Sequence, residues 1–150
     1  MAYIFEKSDG GRSLDTKRRK HNNDCMVRAL ATATGIGYGQ VYDELVEDGV
    51  FTPGNGGFMD RFVGHLVWQQ TTYHGFDFVW RSFAAKKGQP RMNPELFADQ
   101  FPKGNFILRM GRHHCSMIDG VLRDIFVHTD MRCVYGAWEV RKVHEAKQAA

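Results

Sequence analysis

Long hydrophobic runs are missing from this chain: no apolar stretch approaches the roughly 20 residues needed to cross a bilayer. The start, MAYIFEKSDGGRSLDTKRRK, turns polar within a few residues. Neither a membrane span nor a signal-peptide core is therefore expected, and the chain reads as soluble, unexported and cytoplasmic. Cysteine is scarce. Cys25, Cys115 and Cys133 cannot all pair within one chain, so reduced thiols are expected rather than a disulfide framework. Charge is close to balance, with 20 basic and 17 acidic side chains giving a net +3, too mild to demand a nucleic-acid partner. The one dense basic run, Lys17-Arg18-Arg19-Lys20, lacks the interleaved aromatics of a single-strand binder and reads as a solvated segment. Metal-ligand spacing is also missing. His113, His114, Cys115, His128 and Cys133 are ligand types, but no CxxC or HxxxH is present and no metal is expected. Gly35-Ile36-Gly37-Tyr38-Gly39 has no Lys-Ser/Thr after it, so it reads as a helix end and turn rather than a phosphate loop. No cofactor is expected.

What is present is an ordinary globular composition: 43% hydrophobic, 13% aromatic and 25% charged residues over 150 positions, enough to fill one core. A single domain over 1–150 is expected, with an irregular arm at 1–20 and a frayed tail at 141–150. Asp24 is a good N-cap, and Met26, Val27, Leu30 and Ala33 recur at helical spacing up to Gly35. Val41, Tyr42, Leu45 and Val46 mark a second helix and Phe58, Phe62 and Leu66 a third, separated by the Gly-rich loop at 52–57. The period then shifts towards two. A strand is expected at 76–80, and Asn93-Pro94 opens a short helix reaching Phe101. Strands are expected at 105–110, 113–118, 121–126 and 132–140, with Asp119-Gly120 as a hairpin turn. Helices first and an antiparallel meander second make an α+β fold.

Cys25 stands at the first residue of a helix, where free amides and the macrodipole favour an anion, so its thiol can react as thiolate. A lone Cys is more commonly a small buried hydrophobe, and a nucleophilic one needs a base with an orienter. His113 opens one expected strand, and Asp124 lies diagonally across the Asp119-Gly120 hairpin from it, within side-chain reach. That carboxylate could hold the imidazole's tautomer and orientation. His114 points to the opposite face, so one of the two histidines is expected at the site. Arg19, Asn22 and Asn23 precede the thiol and could donate to an oxyanion beside the Cys25 amide.

In this order the residues resemble something specific. Asn-Asp-Cys-Met-Val-Arg-Ala-Leu-Ala-Thr-Ala-Thr-Gly at 23–35, followed by Tyr38 and Val41 to Leu45, looks like the nucleophile helix of small papain-like cysteine peptidases. The likeness is greatest to short phage- and plasmid-encoded members, sometimes labelled peptidase C39-like. The segments 101–108 and 113–124 resemble their helix-turn-strand and the strand with the catalytic His, hairpin and acidic residue; 134–138 resembles the closing strand. The resemblance spans about 20–140, with a divergent, aromatic-rich middle at about 48–92. It implies a papain-like fold, with Cys25 as nucleophile, His113 (six residues before the Asp-Gly turn) as general base and Asp124 as orienter. It implies a peptide or isopeptide bond as substrate, cleaved through a thioester, and host cytoplasm as the compartment if the chain is phage-encoded. Such enzymes usually place an amide side chain a few residues before the nucleophile; here the corresponding stretch is 19–23, which makes Asn23 the candidate oxyanion donor. The competing expectation is a catalytically silent module of this fold that binds a host or virion protein.

Overall fold

The computed structural model describes residues 4–18, 20–126 and 132–143. Arg19, His128 and the tail from residue 144 lie outside the described residues. Four α-helices form where the periodicity places them: α1 (Cys25–Thr34), α2 (Tyr38–Glu47), α3 (Met59–Trp68) and α4 (Pro94–Gln100). In α1, Met26, Val27, Leu30 and Ala33 are buried, and the helix stops at Gly35, whose amide bonds the Ala31 carbonyl. At α4, Asn93 Oδ1 accepts from the Leu96 amide at 2.9 Å, with Pro94 in the first turn, as the capping rules require.

The strands are β1 (Ile4–Lys7), β2 (Phe51–Thr52), β3 (Gly56–Gly57), β4 (Phe76–Ser82), β5 (Asn105–Met110), β6 (His113–Ile118), β7 (Val121–Asp124) and β8 (Gly136–Lys142). Six of them form one mixed sheet in the order β1-β7-β6-β5-β8-β4, while β2 and β3 pair separately. Four neighbouring pairs of the large sheet are antiparallel and β1 with β7 is parallel. Alternation along β5 assigns the faces. Ile107 joins Trp138, Phe78 and the apolar sides of α1, α2 and α3 in one core. Phe106, Leu108 and Met110 join Cys115, Met117, Leu122 and the Phe97 of α4 in a second core on the other face. The α+β class is therefore observed, as a mixed sheet with three helices on one face and one on the other.

Several boundaries differ from the sequence expectation: β4 runs two residues past the expected 76–80 to Ser82, and three further differences have a physical reason. The segment before residue 20 is not irregular throughout, because Ile4–Lys7 adds a parallel edge strand to β7 in the register Ile4↔Val121 to Lys7↔Asp124. A four-residue strand with mostly exposed side chains has almost no alternation to read; its partner makes it. β7 ends at Asp124 rather than Phe126, where the Asp124 carboxylate accepts the Ile125 amide at 2.7 Å. β8 begins at Gly136 rather than Arg132 and runs through Lys142, so the first residues of the expected frayed tail belong to the sheet. The rest of that tail lies outside the described residues.

The Gly-rich loop is held against α1 by close contact. A β-carbon at Gly57 would stand 2.4 Å from the Val50 carbonyl and 3.0 Å from Met26 Sδ. Gly57→Ala is expected to cost about 1–3 kcal/mol, as overpacking typically does. Thermal unfolding checks this: an unchanged midpoint would mean that the loop moves aside freely.

Candidate active site

Cys25 is the first residue of α1, half-buried, and α1 packs on the sheet chiefly against β6. Asp24 occupies the N-cap position without capping. Its side chain makes no bond to the helix amides and turns into the protein, where it is almost fully buried. There Asp24 Oδ1 accepts from Arg12 Nη1 at 2.9 Å and Arg28 Nε at 3.1 Å, and Oδ2 accepts from the Tyr38 hydroxyl at 2.6 Å. A carboxylate next to Cys25 would oppose a thiolate, but this one is compensated by two guanidiniums, and the dipole at the start of α1 is left to act on Cys25.

The opposite wall is the start of β6. His113 Nε2 meets Asp124 Oδ2 at 2.5 Å, both groups buried, which is the diagonal contact that the hairpin register predicts. Asp124 Oδ1 accepts from Arg28 Nη1 at 3.2 Å. One buried chain of charges therefore runs Arg12–Asp24–Arg28–Asp124–His113, and each buried charge in it has a partner. Arg12, Arg28 and Tyr38 were not anticipated from the sequence. The Asp24–Arg28 spacing of four residues on a helix was the one available signal.

The two histidines do not divide as alternation suggested. His114 Nδ1 lies 3.7 Å from Cys25 Sγ, a long contact of the kind sulfur makes, and its ring leans on Trp138 at 5.9 Å between centroids. His113, held on Asp124, is near enough to lower the pKa of the thiol. The expectation that His114 turns away from the site is corrected: at the first residues of β6, beside the helix start, it is the His114 ring that stands within hydrogen-bond distance of the sulfur. The two rings differ in support. His113 has a carboxylate behind it, while His114 is the ring that lines the open cleft.

The electrostatics follow from these contacts. Burial pushes the Cys25 thiol up, but interaction with His113 and then His114 outweighs it and brings the pKa down to about 5. Burial pulls His113 down, and the hydrogen bonds with Asp124 and Cys25 outweigh that, raising it to about 9. Between those values the pair is thiolate and imidazolium. Cys115 is the contrast: full burial pushes its thiol well up, so it stays neutral.

His113, Cys115 and Asp124 bring potential ligand atoms within 4.8 Å of one another. Both Asp124 oxygens are engaged, one by Arg28 and one by His113. A cation there would have to take the place of the His113–Asp124 hydrogen bond and sit beside the Arg28 guanidinium, which disfavours a metal at this donor set.

Asn23 lines the cleft beside Cys25 with positive φ, and its Nδ2 donates to the Gly54 carbonyl at 2.7 Å. It therefore ties the Gly-rich loop to the start of α1, leaving one amide hydrogen for another acceptor. In the basic run, Arg18 bonds Asp15 at 2.9 Å, pairs with Asp43 and lies over the Tyr42 ring. Those contacts make it structural. Among the described residues, no helix is long and apolar enough to cross a membrane. No protein-family model, curated protein or solved structure matches this chain.

Proposed function

We propose that this chain is a thiol hydrolase of papain-like architecture acting on peptide or isopeptide bonds. The observation that carries the proposal is the Cys25 thiol at a helix N-terminus against a His113 ring hydrogen-bonded to buried Asp124. The Asp124 bond occupies Nε2 of His113, which leaves Nδ1 as the nitrogen to exchange a proton with the sulfur. In the proposed cycle the Cys25 thiolate attacks the carbonyl carbon. The developing oxyanion is met by the helix-start amide, with Asn23 Nδ2 the candidate second donor. The tetrahedral adduct collapses as the imidazolium protonates the leaving amine, giving a Cys25 thioester. Water, deprotonated by the same imidazole, attacks the thioester carbonyl and restores the thiolate–imidazolium pair.

The test is the pH dependence of iodoacetamide alkylation at Cys25, located by peptide mass mapping. The rate is expected to rise through a midpoint near pH 5, where the thiol loses its proton. It should then stay level to about pH 9, where His113 loses its proton. Hydrolysis by the same pair is expected to be bell-shaped with limbs near those two values. Cys25→Ala should abolish labelling at this position. A midpoint near pH 8.5, that of an ordinary thiol, would overturn the hydrolase reading and leave the cleft as a protein-binding surface.

A further inference from the structure

The Cys25 thiol and the His114 ring sit in the wall of a cleft of about 970 Å³, at the upper end of the range for ligand sites and too large for a single side chain. Its other walls are unusual in two respects. Three exposed aromatic rings converge on it: Phe58 at 60% exposure, Trp80 at 41% and Tyr135 at 47%. Large exposed rings gathered on one concavity mark a place where something docks. Trp80 is also held in position. It packs on buried Trp138 at 4.6 Å between centroids and lies over Gly136, where a β-carbon would fall 2.1 Å from the ring.

The second feature is charge. Arg91, Arg109 and Arg112 line the cleft, and among the described lining residues the one carboxylate is Asp60. Asp60 stands 3.9 Å from Arg109, with both side chains substantially exposed, so the pair is loose and screened. Arg91 lies over the Tyr135 ring at 5.6 Å from its centroid, which places a guanidinium on the rim beside an aromatic platform. The arginines outnumber the carboxylate by two, an excess that the Cys25 thiolate reduces in the parent chain and that stands in full in Cys25→Ala, in a concave surface whose walls focus the field on whatever enters.

Resting on the hydrolase reading, we propose that the substrate is an acidic polypeptide segment that also carries aromatic or large apolar side chains. Its carboxylates meet Arg91, Arg109 and Arg112, and its apolar side chains lie on Phe58, Trp80 and Tyr135, which brings a backbone carbonyl to Cys25. A basic segment is repelled.

Binding to the full chain carrying Cys25→Ala tests this without any need for turnover. Isothermal titration would use three synthetic decapeptides of alternating Phe and Glu, Phe and Gln, or Phe and Lys, together with a ten-nucleotide oligothymidylate. The Glu peptide is expected to bind at least tenfold more tightly than the Gln peptide, and the Lys peptide more weakly than either. Arg91→Gln, Arg109→Gln and Arg112→Gln combined should erase the Glu preference. Trp80→Ala should weaken the Glu and Gln peptides alike. Arg141→Gln, at an exposed arginine of β8 outside the cleft, should change nothing. Equal affinity for the three peptides would overturn the proposal, and so would tighter binding of the oligonucleotide than of the Glu peptide. The two readings fail separately. An ordinary alkylation profile removes the hydrolase and leaves the binding preference standing, whereas equal affinities beside an activated thiolate remove only this substrate class.

Discussion

His113→Ala is expected to make the pH profile of Cys25 alkylation cross that of the parent chain. In the parent, with the thiol near 5, the sulfur is almost fully ionised at pH 6. Without the ring and its Asp124 support the thiol rises towards about 8.5, His114 holding back part of the rise, and at pH 6 its ionised fraction falls by up to roughly 300-fold. A more basic thiolate is also more nucleophilic, with a slope of about 0.4–0.5 in log rate per pKa unit if alkylation follows disulfide exchange. That recovers some 30-fold. The net expectation is a variant about tenfold slower than the parent at pH 6 and at least tenfold faster at pH 9. Rates at the two pH values with iodoacetamide decide it. His114→Ala removes a ring with no carboxylate behind it, and the midpoint should then stay within about one pH unit of the parent's. If His114→Ala produces the crossing and His113→Ala does not, the base is His114 and the Asp124 pair is structural.

The second large effect concerns Arg28, which is buried and is not part of the cleft wall. Its guanidinium spans two buried carboxylates, through Nε to Asp24 and Nη1 to Asp124. Arg28→Met keeps the apolar stem and strips both carboxylates of that charge. Breaking a buried ion pair from one side costs about 3–5 kcal/mol; in a chain of 150 residues this lowers the unfolding midpoint by on the order of 10 °C. Arg28→Lys should not rescue it, since one ammonium cannot reproduce a fork with two separate acceptors. In a background of Asp24→Asn with Asp124→Asn the same Met substitution should cost far less, because the two charges that Arg28 balances are gone. Thermal unfolding of the set measures the coupling. A loss of under about 2 °C for Arg28→Met alone would mean that these carboxylates are well solvated in spite of their burial.

Much of this was legible in the residues. The helix that stops at Gly35 and the hairpin about Asp119-Gly120 are specified by local signals, helical periodicity closed by a glycine in one case and a turn dipeptide between alternating runs in the other. The hairpin register then carried Asp124 to His113 with no further information. What stayed hidden depends on contacts between distant segments. β1 has a four-residue pattern that means nothing until Val121–Asp124 lies beside it. Arg12 reaches Asp24 only because the segment before α1 folds back over it. His114 was set aside by strict alternation, which describes the middle of a strand; here two consecutive side chains at the strand's start meet a helix terminus. The Asp24 side chain was assigned to the local cap and is instead claimed by three partners, two of them outside α1.

The parallel pairing of β1 with β7 has a consequence in time. Ile4 waits for Val121, Arg28 for Asp124, and Cys25 for the rings of β6. Contacts this distant along the chain close late, since a long loop must be ordered before any of them forms. During synthesis, Cys25 emerges with neither histidine nor Asp124 yet made, so the nascent chain carries an ordinary, mostly protonated thiol. The thiolate–imidazolium pair belongs to the completed sheet, and an unfinished copy carries an ordinary thiol in its place.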